Sequence, residues 1–309
     1  MQLVDRLLAG ERRALARVIT LVENGAPEAL TALSLLYART GHAATIGVTG
    51  AAGTGKSTLV NQLAKEFRRR GKTVGIIAVD PSSPFTQGAI LGDRVRMQDL
   101  AGDAGIFIRS MATRGSLGGL AETTDDVVTV LDAFGKDVVM VETVGAGQDE
   151  VEVCRTTQTT IVINIPGSGD DIQAMKAGIL EIADVLVVNK ADREGAQTLA
   201  AQLNALMSLA PRGGWQVPVL QTVATEGRGI TELAQAIEDH QSHLRATGKL
   251  EKDAHDRIRY QLLTLARQEL MQRILREHSA NGSLEKLVQA VLARDIDPHT
   301  AARRLIESA

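Results

Sequence analysis

The residues most able to do chemistry lie in one short run, Gly50-Ala51-Ala52-Gly53-Thr54-Gly55-Lys56-Ser57, which fits G-x-x-x-x-G-K-[ST] in full. Glycines at this spacing let successive backbone N–H groups turn inward around phosphate oxygens. A helix opening at the end of the run adds positive potential there. Lys56 can bridge two phosphates, and the Ser57 hydroxyl can ligate Mg²⁺. The run follows the apolar Ile46-Gly47-Val48 and passes through Thr58 into a helical pattern reaching Arg69, which is the strand–loop–helix setting the motif requires. Gly50 to Thr58 is therefore the expected phosphate cradle.

Two further strings complete the chemistry. In Val138-Val139-Met140-Val141-Glu142-Thr143-Val144-Gly145 an apolar strand ends in a carboxylate, with glycine three residues later. Glu142 would hold Mg²⁺ directly or through water, and the Gly145 N–H would face the terminal phosphate. A glutamate that merely marks a strand end is the plainer alternative. Asn189-Lys190-Ala191-Asp192 follows the apolar Val185–Val188 and selects the base. Asp192 can accept both N–H donors on the Watson–Crick edge of guanine, a pair that adenine lacks. Asn189 would support the loop and touch the base, while the stem of Lys190 covers the ring. Thr222-Val223-Ala224 follows the last apolar run, where a backbone N–H of Val223 or Ala224 can meet the guanine oxygen.

Between these lie Asp80-Pro81-Ser82-Ser83-Pro84 and Gly88 to Asp93-Arg94, a loop-forming stretch with two carboxylates. Asp80 and Asp93 read equally well as partners of Mg²⁺ or water and as ordinary turn residues. Gly167-Ser168-Gly169-Asp170-Asp171 is a second polar loop on the same edge, read as a nucleotide-sensing loop or a helix cap. His240 and His243 form the one close histidine pair, and their spacing reads as a solvated surface pair.

The elements that must position these residues fall into three zones. Residues 1–43 are a helical extension, with a break at Gly25-Ala26-Pro27. Residues 44–247 alternate short apolar runs (46–48, 74–79, 138–141, 160–165, 185–188, 217–220) with amphipathic stretches, the pattern of a mostly parallel sheet flanked by helices. Residues 248–309 return to helix: an apolar stripe from Ile258 to Leu275, then Asp297-Pro298 as a cap and first turn. The stripe suits a dimer seam or a satellite core. The fold class is α/β, with one helical segment on each side. The chain has 309 residues, a formal net charge of −3 and 2% aromatics, without the basic surplus and stacking platforms of nucleic-acid binders. Its single cysteine, Cys154, excludes an internal disulfide. No run approaches the roughly 20 apolar residues of a membrane span, and Met1–Gly10 does not read as a secretory signal, so the expectation is a cytoplasmic protein.

At these residues the sequence resembles the MeaB/ArgK family of P-loop GTPases, chaperones of adenosylcobalamin-dependent acyl-CoA mutases. Ala78-Val79-Asp80-Pro81-Ser82-Ser83, Gly88 to Asp93, Leu117-Gly118-Gly119, Val141-Glu142-Thr143-Val144-Gly145 with Gly147-Gln148, and Gly169-Asp170-Asp171-Ile172-Gln173 carry the likeness. The resemblance implies a GTPase that gates cofactor loading of a mutase. Lys56, Asp80, Asp93, Glu142 and Gln148 would be the catalytic set, and Ser57, Asp80, Asp93 and Glu142 the Mg²⁺ set. It also implies switches at Asp80–Asp93, Gly145–Gln148 and Gly167–Lys176, and a homodimer through the C-terminal arm. Ala52 stands where the family usually has proline, and Arg109 to Gly115 replaces a Ser/Pro-rich form. A phosphotransferring kinase and a metal-insertion GTPase are the rival readings.

Overall fold

A computed structural model describes residues 2–80, 97–100, 102–112, 123–143, 149–167, 177–209 and 214–307. Three helices, α1 (Gln2–Leu8), α2 (Arg12–Glu23) and α3 (Pro27–Tyr37), precede β1 (Ala44–Thr49) and α4 (Lys56–Arg69). Then follow β2 (Val74–Asp80), β3 (Ile106–Ala112), α5 (Thr124–Ala133), β4 (Val138–Glu142), α6 (Asp149–Thr156) and β5 (Thr159–Asn164). Next come α7 (Ala177–Ile182), β6 (Val185–Asn189), α8 (Ala196–Leu209), β7 (Val219–Thr222) and α9 (Ile230–Ala246). The chain closes with α10 (Lys249–Ala280), α11 (Ser283–Leu292) and α12 (Pro298–Glu307).

The seven described strands form one parallel sheet in the order β3-β2-β4-β1-β5-β6-β7. Burial on both faces explains why the central strands read as unbroken apolar runs. Val48, Ile76, Met140, Ile161 and Val187 pack with Leu59, Leu63 and Phe67 of α4 and Leu233 and Ile237 of α9 on one face. Ile77, Val79, Val139 and Val141 pack on the other with Val127 and Leu131 of α5 and with the N-terminal helices. The order reverses beside β1, so the crevice beyond the carboxyl ends of β1, β4 and β5 is the switch point where open sheets bind ligands.

The chain divides into two compact units, Met1–Leu250 and Glu251–Ala309. Within the first, Leu15, Val18, Ile19 and Val22 of α2 and Leu36 of α3 belong to the sheet's own core. The buried carboxylate of Asp132 accepts the N–H groups of Gly41, His42 and Ala43 (2.6, 3.2 and 3.0 Å), fixing the entry into β1. In the second unit, Asp297 accepts the N–H groups of His299 and Thr300 (2.9 and 3.1 Å), the cap expected ahead of Pro298. No helix among the described residues is long and apolar enough to cross a membrane.

Three local expectations change. β3 was absent from the apolar runs because Arg109 interrupts it; as the sheet's edge it is covered by α2, where Glu23 pairs with Arg109. Arg12 of the same helix donates to the carbonyls of Asp103, Ala104 and Ile106. A second break, at Gly10, separates α1 from α2. Finally, His240 is not solvated: it is 1% exposed on the core face of α9. Trp215 packs at a tilt against both histidine rings (centroids 4.9 and 5.3 Å), and Thr159 Oγ1 lies 3.0 Å from His240 Nδ1. The i, i+3 spacing gave no sign of this, because the burying ring comes from a loop 25 residues earlier. Among the described residues no group of three or more His, Cys, Asp or Glu side chains could hold a metal ion.

Candidate functional site

The phosphate cradle is built on the last residue of β1. Gly50 has φ 144°, and a Cβ there would sit 2.4 Å from the Ile163 carbonyl oxygen, so only glycine lets the loop leave the sheet against β5. Gly55, with φ 93°, caps α4; a Cβ there would lie 2.5 Å from Asn189 Nδ2. Thr54 closes the turn, its N–H and hydroxyl both donating to the Ala51 carbonyl (3.3 and 2.9 Å). Lys56 is buried, and its ammonium donates to the carbonyls of Gly50 and Ala51 (2.8 and 3.1 Å). The charge is thereby held at the loop's mouth while its desolvation is offset.

Ser57 is the second residue of α4, directly beneath the loop. Its hydroxyl donates to Glu142 Oε1 at 2.6 Å, with both residues more than 90% buried. Glu142 ends β4, in register with Val48 of β1 and Ala78 of β2, which places the carboxylate under the cradle. One residue further on, Thr143 donates its N–H to the Val48 carbonyl (3.1 Å) and its hydroxyl to Thr49 Oγ1 (3.0 Å).

The base-selecting string sits on the next edge positions. Asn189 ends β6 opposite Thr222 and is 2% exposed. Its amide donates to the Thr54 carbonyl (2.8 Å), and its Oδ1 accepts the Thr222 hydroxyl (3.0 Å) and the Ala224 N–H (3.2 Å). One side chain thus ties the phosphate loop, β6 and the 222–224 loop together. Lys190 takes a left-handed backbone (φ 56°) and reaches Gly53 O with Nζ at 2.7 Å, laying its stem along the cradle. Asp192 follows in an exposed turn. Val223 and Ala224 are buried, and the Val223 N–H closes the turn on the Arg228 carbonyl (3.1 Å).

Gly50 to Thr58, Glu142, Asn189, Lys190, Asp192, Val223 and Ala224 are therefore gathered at one edge of the sheet. Asp80 ends β2 at that edge, but its side chain lies outside the described residues, as do Asp93, Gly145, Gln148 and the loop from Ser168 to Lys176. Two contributors were not singled out from sequence: Thr222, which anchors Asn189, and Thr49, which meets Thr143. A hydroxyl at the end of an otherwise apolar strand was the available signal.

A parallel sheet with a phosphate loop after its first strand, a buried carboxylate beneath it and a guanine-selecting string two strands away defines a P-loop GTPase. The profile of the family described as "Methylmalonyl Co-A mutase-associated GTPase MeaB" matches residues 15–279, and the chain belongs to that family. A Pyrococcus horikoshii protein named as a GTPase is 46% identical, covering 99% of this chain and 97% of its own. GTPase ArgK of Escherichia coli is 37% identical over 98% of this chain and 95% of its own. The mouse "Methylmalonic aciduria type A homolog, mitochondrial" is 29% identical over 99% of this chain and 79% of its own. Among solved structures, "LAO/AO transport system kinase" superposes with a TM-score of 0.75 at 30% identity, covering 99% and 96% of the two chains. The chain is accordingly a guanine-nucleotide-binding GTPase.

Proposed function

We propose that this GTPase serves an adenosylcobalamin-dependent acyl-CoA mutase, using GTP binding and hydrolysis to gate cofactor loading and to protect or reactivate the mutase. The observation that carries the reading is the family match over residues 15–279, whose description ties the family to methylmalonyl-CoA mutase. The name of the mouse relative points the same way.

At the site, Lys56 and the loop's N–H groups would bind the β- and γ-phosphates, and Asp192 would read guanine. The donor set under the loop fits Mg²⁺: a buried hydroxyl and a buried carboxylate 2.6 Å apart offer oxygen ligands only. Mg²⁺ habitually takes one or two protein oxygens and fills its shell with phosphates and water. Ser57 and Glu142 would hold the ion, with Asp80 and Asp93 as further candidates around it. When bound, it would supply neutralisation of the charge that develops on the β- and γ-phosphates. Ala146 stands where Ras-like enzymes have the glutamine that orients the attacking water, and Gln148 lies two residues further on. Hydrolysis by the isolated chain is therefore slow, and the partner completes the site.

The arm would make the protein a homodimer. Leu262, Leu263, Leu265, Leu270 and Met271 of α10 and Leu292 of α11 are 51–70% exposed, a run of apolar side chains that a second copy would cover.

The test is GTP hydrolysis with and without a cobalamin-loaded acyl-CoA mutase, using Lys56→Ala as the blank. A mutase-dependent rise that vanishes in the blank supports the proposal. A solved relative carries the name kinase, so phosphate transfer to an acceptor, with no response to any mutase, would replace the chaperone reading by that one.

A further inference from the structure

The ends of β1 and β4 are joined by side chains on both faces of the sheet. On the face covered by α4, Ser57 Oγ donates to Glu142 Oε1 at 2.6 Å. Thr49 and Thr143 follow Val48 and Glu142 by one residue, so strand alternation turns their side chains to the opposite face. There the two hydroxyls meet at 3.0 Å, with Thr49 0% and Thr143 2% exposed. Each residue is tied to the chemistry by the chain itself. Thr49 precedes Gly50, the first residue of the phosphate loop, and Thr143 is bonded to Glu142.

The two joints respond differently to a metal ion. A hydroxyl and a carboxylate that both turn to Mg²⁺ no longer need to bond each other, so the Ser57–Glu142 joint is exchanged for ligation. The threonine joint is untouched by that exchange. It then remains as a side-chain tie, beside the backbone bond from the Thr143 N–H to the Val48 carbonyl, that helps hold the carboxylate's strand end level with the loop's first residue. We propose that Thr143, acting through Thr49, is a positioning residue that fixes the height of Glu142 for Mg²⁺ ligation beneath the phosphate loop. This rests on the magnesium reading of Ser57 and Glu142.

The hydroxyl pair is also buried, so breaking it has a structural cost that must be separated from positioning. Thr143→Val keeps the shape and leaves the Thr49 hydroxyl unpaired, whereas Thr49→Val with Thr143→Val removes both hydroxyls and leaves no orphan. The readout is binding, not turnover: the Mg²⁺ concentration that half-maximally slows release of a fluorescent GDP analogue, with thermal midpoints measured in parallel. Thr143→Val is expected to raise that concentration about tenfold, the effect of roughly 1.4 kcal/mol, while affinity for the analogue without Mg²⁺ stays within twofold. Thr143→Ser is expected to restore the wild-type value. The double variant should regain thermal stability and keep the raised Mg²⁺ requirement.

A double variant whose Mg²⁺ requirement recovers together with its stability would overturn the positioning role and leave a structural bond. An unchanged requirement in Thr143→Val alone, with Glu142→Gln shifted, would overturn it as well. An unchanged requirement in both would instead remove the magnesium assignment on which the inference stands.

Discussion

Asn189 carries more of the site than its place in a base-selecting string suggests. Its three hydrogen bonds reach Thr54, Thr222 and Ala224, all in a buried setting. Asn189→Ala leaves those partners unsatisfied at about 3 kcal/mol in total, and the thermal midpoint should fall by roughly 6–12 °C. Calorimetry of the variant checks this; a midpoint within a degree of wild type would show that the three contacts do not hold the edge together. Asp192 is different, because it is exposed and its role is toward the base. Asp192→Asn should lower affinity for GDP roughly 10- to 100-fold by removing a charge-assisted pair. The same change should raise affinity for xanthosine diphosphate, whose extra carbonyl suits an amide donor. Equal affinities for the two bases before and after the change would remove Asp192 from base selection. Both roles were legible because Asn-Lys-x-Asp fixes chemistry by residue type. Thr222 and Thr49 were not, since a strand-end threonine has the same look whether it anchors a neighbour or only fills space.

At the level of elements, α9 buries a histidine against β5 and the Trp215 ring. Burial, followed by the positive charge of Lys249 and the neighbouring His243, pushes His240 from its ordinary 6.5 down to about 4. Asp184 lies 3.4 Å from its Nε2, too far for a good hydrogen bond to offset the burial. The folded protein therefore keeps His240 neutral where the unfolded chain would protonate it. The stability this contributes is complete above pH 6.5 and is lost as pH falls toward 4. The loss should reach up to about 3 kcal/mol. Denaturant unfolding at pH 7, 6 and 5, with His240→Asn alongside, checks this; a wild-type slope no steeper than the variant's would contradict it. The apolar runs announced the five strands buried on both faces and the edge strand β7. They could not announce β3, whose Arg109 belongs to an ion pair made by a helix more than 80 residues earlier. Nor could they place His240, whose neighbours come from a strand and a loop distant in sequence. In both cases the missing information was tertiary.

For the whole molecule, the proposed dimer puts the exposed apolar side chains of α10 to use. Replacing Leu263 and Leu270, 64% and 60% exposed, by aspartate should convert a dimer to monomers without unfolding the first unit. Light scattering after size exclusion reads the mass directly, and a wild-type chain that is monomeric at micromolar concentration would remove the dimer from the proposal. The helical character of residues 249–309 was plain in the sequence. The break between α10 and α11 falls at Asn281-Gly282, where Gly282 takes a left-handed backbone (φ 68°).

The central claim is that guanine nucleotide on this chain controls delivery of cobalamin to a mutase. The most direct measurement is the absorbance-followed loading of adenosylcobalamin onto an apo acyl-CoA mutase in the presence of this protein with GTP, GDP or a non-hydrolysable GTP analogue. The expected result is loading whose rate or extent depends on which nucleotide is bound, with the dependence lost in Lys56→Ala. Loading that is the same with every nucleotide, and the same when the protein is left out, would contradict it.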